Sequence, residues 1–423
     1  MTAQYANNNL NIVMATDKNY IIPTMVTLAS VMSSANKDTF FNIYILCAKN
    51  LEKESRQLLK TLEKKYNCME IHFIEIVDKR LEKAVTIAHI PVASYYRLYI
   101  SKYLKADRCL FIDGDMIVKH DLTEVYNTDF EGCYIIGVKD LGIQSNYTKY
   151  TDYAKYLEID DMNSYVNAGF MIFNLKKIRQ DKLDEKMIEA IDRGYKYMDQ
   201  DILNKYCYGK IKNISLKYDF FTEYYENIQD KKLDGYGEDL EYIKDNIVVY
   251  HYTGIFKPWL CRRLRINGLW WEQAANVLDK DIYDTLIQNA NEFETKSDWL
   301  FLQNLIKNER QIVICGFSEI GKKIAKKILN DNNDKQILFA DNDISKENED
   351  FNNVCVTSIL KAYDKYPDAI YIISSQNGFR QIKEQLNRIG INDKRIYRYI
   401  YKDETYYSRL DEKYREYESY QRI

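Results

Sequence analysis

The chain has 423 residues and a formal net charge of −3 at pH 7, and hydrophobic residues make up 46% of it. This composition excludes a disordered chain, and the nearly balanced charge gives no global attraction to nucleic acid or to an anionic membrane. The length favours two domains, because single hydrophobic cores rarely grow that large. We therefore expect a globular protein with no nucleic-acid partner.

The sequence predicts neither a leader peptide nor a membrane span. Segment 1–9 is polar and lacks the apolar core of a signal peptide, and no run approaches the roughly 18 apolar residues of a spanning helix. The 8 cysteines are scattered, several within apolar runs such as those at Cys47, Cys109 and Cys315, and none forms a CxxC pair. We expect a cytoplasmic protein with reduced thiols, without disulfides or a zinc site.

Strands and helices alternate in the first part of the chain, which predicts a parallel sheet with helices on its faces. Pro23 opens the first predicted helix. Asp17 and Asn19 follow the first strand, and ligands of such sheets bind beyond the carboxyl ends of the strands. An Asx-type turn or a helix cap explains the same two residues. The predicted strands are Leu10–Ala15, Phe41–Leu46 and Glu70–Ile76, and a second helix is predicted at Glu52–Tyr66.

A later strand, predicted from Cys109 to Ile112, ends in two carboxylates, Asp113 and Asp115, with Gly114 between them. Paired acids at the end of a buried strand repel each other unless a cation lies between them. Oxygen ligands suit Mg²⁺ or Mn²⁺, which in turn bind diphosphate oxygens. A plain Asp-Gly turn between two strands is the alternative, and the short motif by itself leaves both open.

Further polar residues interrupt apolar patterns. Arg97 lies on a helix predicted at Pro91–Leu98, either as a snorkelling surface residue or as a clamp for phosphate and carboxylate groups. Asn167 and Gly169 lie in a strand pattern where burial alone would favour valine or leucine. Acids also begin the helix predicted at Met198–Asn204, where ordinary capping that the helix dipole favours is by itself the better explanation.

A strand predicted at Ile247–Tyr250 leads into His251, and Lys257 follows in the same loop. A lone histidine after a strand is more often structural than a metal ligand. However, imidazole binds Mn²⁺ well, and a lysine suits phosphate as a point charge. Beside two carboxylates, this loop would supply a third metal ligand and a cation for a leaving group.

The order and spacing of these loops, over about residues 10–272, resemble family 8 glycosyltransferases, the retaining group that includes bacterial lipopolysaccharide glucosyl- and galactosyltransferases. The resemblance implies the GT-A fold, an α/β fold with a mixed, mainly parallel sheet, and a UDP-sugar donor with Mn²⁺ or Mg²⁺. It implies transfer of glucose or galactose to a saccharide or lipid-linked glycan in cell-surface polysaccharide or lipopolysaccharide synthesis. The alternative is a nucleotide-sugar-binding protein that is non-catalytic or regulatory.

The resemblance also implies roles for individual residues. The metal ligands would be Asp113, Asp115 and His251. Catalysis would involve Gln200, Asp199, Asp140 and Lys257, with Asp140 near the acceptor. Because Gln200 is an amide and a poor nucleophile, we expect the acceptor to attack the anomeric carbon on the same face from which the leaving group departs. The donor-binding residues would be Ala15, Asp17, Asn19, Tyr20, Arg97, Asp113, Asn167, Ala168, Gly169, Gly254 and Lys257.

We predict a glycosyltransferase domain at 1–275, a helical connector at 276–308, a smaller Rossmann-like α/β domain at 309–400 and a charged helical tail at 401–423. In the Rossmann-like domain, Ser318 replaces the middle glycine of the dinucleotide motif, and Asp341 lies where a ribose contact is expected. Nucleotide binding therefore competes with a role in packing or in a homo-oligomer.

Arginines at 262–265 are followed by Trp270 and Trp271. This cluster would suit peripheral docking on anionic lipid at the inner face of the membrane, where a lipid-linked acceptor would lie. The alternative, which we favour, is that the tryptophans close the domain core and the arginines pair locally.

Overall fold

The computed structural model describes residues 8–86, 91–144, 151–222, 240–253, 257–260, 265–297, 303, 306–331, 334–375 and 378–398. The chain divides into two compact units. Unit 1 comprises Met1–Pro258 and Gly268–Tyr283, and unit 2 comprises Trp259–Asn267 and Asp284–Ile423. The four-segment division made from the sequence stays a prediction.

Unit 1 contains a large mixed sheet and a small one. Its strands are β1 (Asn8–Ala15), β2 (Thr39–Ala48), β3 (Met69–Ile76), β4 (Arg108–Ile112), β5 (Met116–Val118), β6 (Ile135–Lys139), β7 (Val166–Asn174), β8 (Ile211–Ile214), β9 (Phe220–Phe221) and β10 (Val249–His251). The large sheet has the order β3-β2-β1-β4-β7-β6-β8, and the small one β5-β10-β9. In the large sheet only β7 runs antiparallel to its neighbours. The mixed, mainly parallel α/β sheet expected from the resemblance is confirmed.

The α-helices that begin in unit 1 are α1 (Ile21–Ser34), α2 (Lys53–Lys65), α3 (Ile100–Tyr103), α4 (Thr123–Tyr126), α5 (Leu141–Gln144), α6 (Thr151–Leu157), α7 (Leu175–Gln180), α8 (Leu183–Glu189), α9 (Met198–Tyr206), α10 (Leu240–Asp245), α11 (Gly268–Val277) and α12 (Lys280–Ser297), the last of which continues into unit 2. Of these helices, α1, α2, α4, α7 and α9 pack against strands of the two sheets. Helix α1 begins at Ile21, so Pro23 lies inside its first turn and does not open the helix. Proline is tolerated at that position because first-turn amides need no helical partner. The middle of α1 and eight of the nine residues of β7 are buried, so both belong to the core.

Two local predictions need correction. The helix predicted at Pro91–Leu98 is a 3-10 helix, Val92–Tyr99, and Arg97 in it is buried, so the arginine is not a snorkelling surface residue. The strand predicted at Ile247–Tyr250 begins later and includes His251, because that residue pairs with Met116 of β5. The burial of Arg97 and the pairing of His251 are tertiary contacts that a local pattern does not contain.

Unit 2 contains a six-stranded sheet with the order β13-β14-β12-β11-β15-β16. The strands run parallel except for β13, which is antiparallel to β14. The Rossmann-like assignment of this part of the chain stays a prediction. The elements are β11 (Gln311–Cys315), β12 (Gln336–Ala340), β13 (Asp350–Phe351), β14 (Val354–Thr357), β15 (Ile370–Ile373) and β16 (Ile396–Arg398), with α13 (Glu319–Asp331), α14 (Ile359–Lys365) and α15 (Phe379–Arg388).

The tryptophans of α11 belong to the protein core. Trp270 and Trp271 are 0% and 4% exposed, and the Trp271 indole donates to the Pro258 carbonyl at 2.9 Å. This burial supports the alternative favoured from the sequence for the tryptophans, whereas residues 261–264 and 401–423 lie outside the described residues. The cysteines in the described part of the chain are free thiols. None of the described helices combines the length and apolar character needed to cross a membrane.

Candidate active site

Strand pairing brings His251 next to residues 113–115, which we call the acid loop. Asp113 and Asp115 lie in the tight link between β4 and β5. The strand β10 runs antiparallel to β5 with His251 opposite Met116, and the Tyr252 amide donates to the Asp115 carbonyl at 3.0 Å. Because of this pairing, an imidazole from a distant part of the sequence lies beside the two carboxylates.

These three side chains fit a divalent cation. One ligand atom each from Asp113, Asp115 and His251 lie within 4.8 Å of one another. His251 Nε2 is 3.4 Å from Asp115 Oδ1 and 4.0 Å from Asp113 Oδ2. A Cβ at Gly169 would lie 2.4 Å from His251 Cε1 and 2.9 Å from Asp113 Oδ2, so glycine keeps this space open. Two carboxylates and an imidazole form a donor set that suits Mn²⁺ and accommodates Mg²⁺.

The other oxygen of each aspartate binds a cationic side chain. Asp113 Oδ1 accepts from the Arg97 guanidinium at 3.0 Å, and Asp115 Oδ2 accepts from Lys257 Nζ at 2.6 Å. Burial raises the pKa of Asp115, but Lys257 and His251 outweigh burial and hold that pKa well below its usual range. Asp115 therefore stays ionised, with Oδ1 directed toward His251.

Arg97 is a buried clamp. Its guanidinium lies 4.3 Å from the centre of the Phe111 ring, and its Nε is 2.8 Å from Asp199 Oδ2. A further N–H of Arg97 donates to the Ala168 carbonyl. Burial raises the pKa of Asp199 to about 6, although Arg97 opposes the shift. Arg97 thus connects the acid loop, β7 and the start of α9.

The amide of Gln200 is held at both ends. Its Oε1 accepts from the Ala168 amide at 2.9 Å and from Asn167 Nδ2 at 3.2 Å. Its Nε2 donates to Asp140 Oδ2 at 3.2 Å and to the Tyr165 hydroxyl at 3.4 Å. Asp140 therefore contacts the site through Gln200 and Asn167, and it is not itself among the cavity-lining residues.

A cavity of about 190 Å³ lies over these groups. Asn19 is exposed and does not line it, and Gly254 lies outside the described residues. The Asx turn weighed for Asp17 does form, because its Oδ1 accepts from the amides of Asn19 and Tyr20 at 2.8 and 3.2 Å. The predicted residues that line the cavity are Ala15, Asp17, Tyr20, Arg97, Asp113, Asp115, Asn167, Ala168, Gly169, Asp199, Gln200, His251 and Lys257.

Sequence reasoning missed one buried acid of the site. Asp219 is 0% exposed, and its Oδ1 lies 2.7 Å from His251 Nδ1. Burial lowers the pKa of His251, but Asp219 and Asp115 outweigh burial and raise that pKa to about 10. The signal in the sequence that would have found it was an acid directly before two phenylalanines, Phe220 and Phe221.

Asp341 of unit 2 serves the glycine turn that precedes α13. Its Oδ2 accepts from the Phe317 amide at 2.7 Å and from Lys346 at 3.2 Å, and its Oδ1 accepts from the Asp343 amide at 2.9 Å. Gly316 in this turn has a φ of +111°, a conformation that favours glycine. A cavity of about 360 Å³ lies at this end of the sheet. Both Asp341 oxygens already bind protein groups, so a ribose would have to compete with these contacts. Nucleotide binding at this cavity stays a prediction.

The chain is similar to known proteins over the part that contains the first cavity. The model of a family described as glycosyl transferase family 8 matches residues 11–262. A lipopolysaccharide 1,2-glucosyltransferase of Escherichia coli is 32% identical over 258 residues, which cover 59% of this chain and 73% of that protein. A lipopolysaccharide 1,3-galactosyltransferase of Salmonella typhimurium is 25% identical over 266 residues, which cover 61% of this chain and 75% of that protein.

The fold is also similar to that of a solved structure. The crystal structure of the galactosyltransferase LgtC in complex with donor and acceptor sugar analogues aligns with a TM-score of 0.53 and 24% identity. The alignment covers 64% of this chain and 98% of that one. At this identity the similarity supports the fold alone.

Proposed function

The chain belongs to glycosyl transferase family 8, and from this premise we propose that it transfers glucose or galactose from a UDP-sugar to a saccharide or lipid-linked glycan. Its similarity to a lipopolysaccharide glucosyltransferase and a lipopolysaccharide galactosyltransferase supports a hexose and a cell-surface polysaccharide or lipopolysaccharide product. The observation that carries the proposal is the convergence of Asp113, Asp115 and His251, whose ligand atoms lie within 4.8 Å of one another.

The cavity residues divide into metal-binding and donor-binding groups. Asp113, Asp115 and His251 would hold Mn²⁺ or Mg²⁺, and such an ion, when bound, would supply positive charge to the diphosphate of the donor. Lys257 would add a second positive charge where negative charge develops on departing UDP. The uridine would bind near Asp17, which lies past the end of β1. The other donor contacts would be Ala15, Asn19, Tyr20, Arg97, Asn167, Ala168, Gly169 and Gly254.

The surroundings of Gln200 favour retention of configuration without a covalent intermediate. The bond between the anomeric carbon and the UDP oxygen would break while the acceptor oxygen forms its bond to the same carbon. The proton of the acceptor hydroxyl would pass to the departing phosphate oxygen on the same face. Gln200 Oε1 already accepts from Ala168 and Asn167, so it has little capacity left as a nucleophile. Gln200 and Asp199 would position the donor sugar, and Asp140 would act near the acceptor.

UDP release from UDP-glucose and UDP-galactose tests this proposal. We expect slow hydrolysis of one donor in Mn²⁺ and loss of UDP release in EDTA. Asp113→Ala and His251→Ala should lower the rate by at least about 100-fold, because each removes a ligand of the charge-stabilising ion. The matched control is Asp107→Ala, whose side chain is 74% exposed and lies before β4, and it should release UDP like the wild type.

Two results would contradict the proposal. Undiminished Mn²⁺-dependent release by His251→Ala would refute the metal site. A protein that binds UDP-sugar with Mn²⁺ but never releases UDP, with any of a panel of saccharide acceptors, would instead be a nucleotide-sugar-binding protein.

A further inference from the structure

We propose that Asp219 is a positioning residue that fixes the tautomer and ring orientation of His251, so that Nε2 faces a divalent cation. The inference rests on the proposed function for the identity of that cation. Asp219 Oδ1 lies 2.7 Å from His251 Nδ1, and the two side chains are 0% and 4% exposed. Because both side chains are buried, water competes little with this contact.

The chemistry of the two groups determines which ring nitrogen carries the proton. A carboxylate only accepts hydrogen bonds, so the contact to Asp219 requires a proton on His251 Nδ1. Binding of a cation would release the other ring proton, because a histidine that binds a metal must be neutral, and would leave the lone pair on Nε2, which lies 3.4 Å from Asp115 Oδ1 and 4.0 Å from Asp113 Oδ2. Metal-binding histidines commonly donate their second N–H to a carboxylate in this way, and the partner orients the ring.

The pairing of β9 with β10 places Asp219 beside His251. Asp219 directly precedes β9, whose Phe221 pairs with His251 in the parallel β9–β10 ladder. The Phe221 ring meets the imidazole edge-on at 5.6 Å, so the ring is held from a second side. Among the described residues, Asp219 Oδ2 has no hydrogen-bond partner. Burying a carboxylate with only one oxygen in a hydrogen bond costs free energy that packing alone does not offset. This cost favours a functional role for Asp219, exerted through His251.

Mn²⁺ affinity of the full-length chain, measured from the EPR signal of free Mn²⁺, tests the role of Asp219. We expect Asp219→Asn to bind Mn²⁺ about 10- to 100-fold more weakly than the wild type. In a His251→Ala background the same substitution should change the affinity by no more than about 2-fold, because the residue through which Asp219 acts is gone. Equal losses in both backgrounds, or no loss in either, would overturn the proposal.

Asp201→Asn is the matched control for the loss of a buried charge. Asp201 is also 0% exposed and accepts from the Tyr165 hydroxyl at 2.6 Å, but it has no contact with His251. We expect this variant to lose thermal stability and to keep wild-type Mn²⁺ affinity. If it weakens Mn²⁺ binding as much as Asp219→Asn does, the effect is a general destabilisation and the proposal is wrong.

A measurement on the wild type decides the case in which Asp219→Asn does not fold. The chain has 4 histidines, so ¹⁵N spectra of labelled imidazoles with saturating Mg²⁺ can be assigned. We expect the proton of His251 on Nδ1, and a proton on Nε2 would overturn the inference. A wild type that binds neither ion refutes the metal site of the proposed function together with this inference. Mn²⁺ binding that Asp219→Asn leaves unchanged refutes this inference alone.

Discussion

At the scale of single residues, the balance of buried charges shapes the site. The carboxylates of Asp113, Asp115 and Asp199 face two fixed cations, Arg97 at 3.0 and 2.8 Å and Lys257 at 2.6 Å. Each cation binds an oxygen on the outer side of its carboxylate, so the inner oxygens of the acid loop remain directed toward His251. This arrangement lets the protein bury paired acids and still present oxygen ligands to a cation.

We expect Gly169→Ala to weaken metal binding without unfolding the sheet. The new Cβ would lie 2.4 Å from His251 Cε1 and 2.9 Å from Asp113 Oδ2, so both ligands would have to move. Mn²⁺ affinity should fall at least about tenfold. Gly268→Ala is the control, since a Cβ there meets nothing within 4 Å. Wild-type affinity in Gly169→Ala would show that these side chains are not the ligands.

The carboxyl of Asp199 predicts a pH dependence of stability. Burial raises its pKa from 3.8 to about 6, so the native state holds this proton more tightly than the unfolded chain does. Its contribution to the free energy of unfolding is therefore present below about pH 4, and it is lost as the pH rises through 6, by a few kcal/mol in total. Urea unfolding between pH 4 and 7 should show this term in the wild type and not in Asp199→Asn. Parallel pH profiles of the two proteins would contradict the prediction.

At the scale of elements, helix α1 supports the acid loop. The strand β5 is an edge strand of the small sheet, so one side of its backbone lacks a neighbouring strand. Hydroxyl groups of α1 cover that side. Thr27 Oγ1 contacts the carbonyls of Gly114 and Met116 at 2.9 and 2.8 Å, and Ser30 Oγ accepts from the Val118 amide at 2.9 Å. The helix thereby satisfies buried backbone groups next to the metal ligands.

We expect Thr27→Val to lower the free energy of unfolding by about 1 to 3 kcal/mol, because the isosteric side chain leaves buried carbonyls and the Met116 amide unpaired. Urea denaturation measures this change. Thr61→Val on α2 is the control, since its exposed hydroxyl donates to the Leu58 carbonyl, and it should stay within about 0.5 kcal/mol of the wild type. Equal effects of the two substitutions would show that α1 does not support the loop through Thr27.

At the scale of the whole molecule, the candidate active site belongs to one of the two units. Every residue that lines the first cavity lies between Ala15 and Lys257, within unit 1. The family match, over residues 11–262, covers the same part of the chain. Unit 2 has its own mainly parallel sheet and its own hydrophobic clusters. Its contribution to the proposed reaction is therefore separable by experiment.

We expect a chain truncated after Tyr283 to retain Mn²⁺-dependent UDP release, because it keeps all of the cavity-lining residues. The rate of UDP release by the truncated chain, compared with the rate of the full chain, measures the contribution of unit 2. Circular dichroism shows whether the shortened chain is folded. A folded truncation that has lost UDP release would mean that unit 2 contributes to the site.

Local patterns in the sequence were sufficient for much of unit 1. Apolar runs predicted β1, β2, β3 and β4 to within a few residues, and polar residues at the carboxyl ends of β1 and β4 marked the cavity. Parallel strands place those ends on one edge of the sheet, so Asp17 and the acid loop were expected to meet. The choice between a turn and a metal site was not decided by the motif alone, and the third ligand was supported by the resemblance.

What only the tertiary structure decided are contacts between short segments that lie far apart in the sequence. The strands β5, β9 and β10 have two or three residues each, and their pairing, which no local pattern contains, sets His251 against the acid loop. Burial likewise decided that Arg97 is a clamp and that Asp219 holds the imidazole. The sequence determined which chemical groups end the strands, because the alternation of apolar and polar residues that marks a strand can be read from neighbouring residues alone. The fold determined which of these groups touch, because strand pairing and burial depend on segments that are far apart in the sequence.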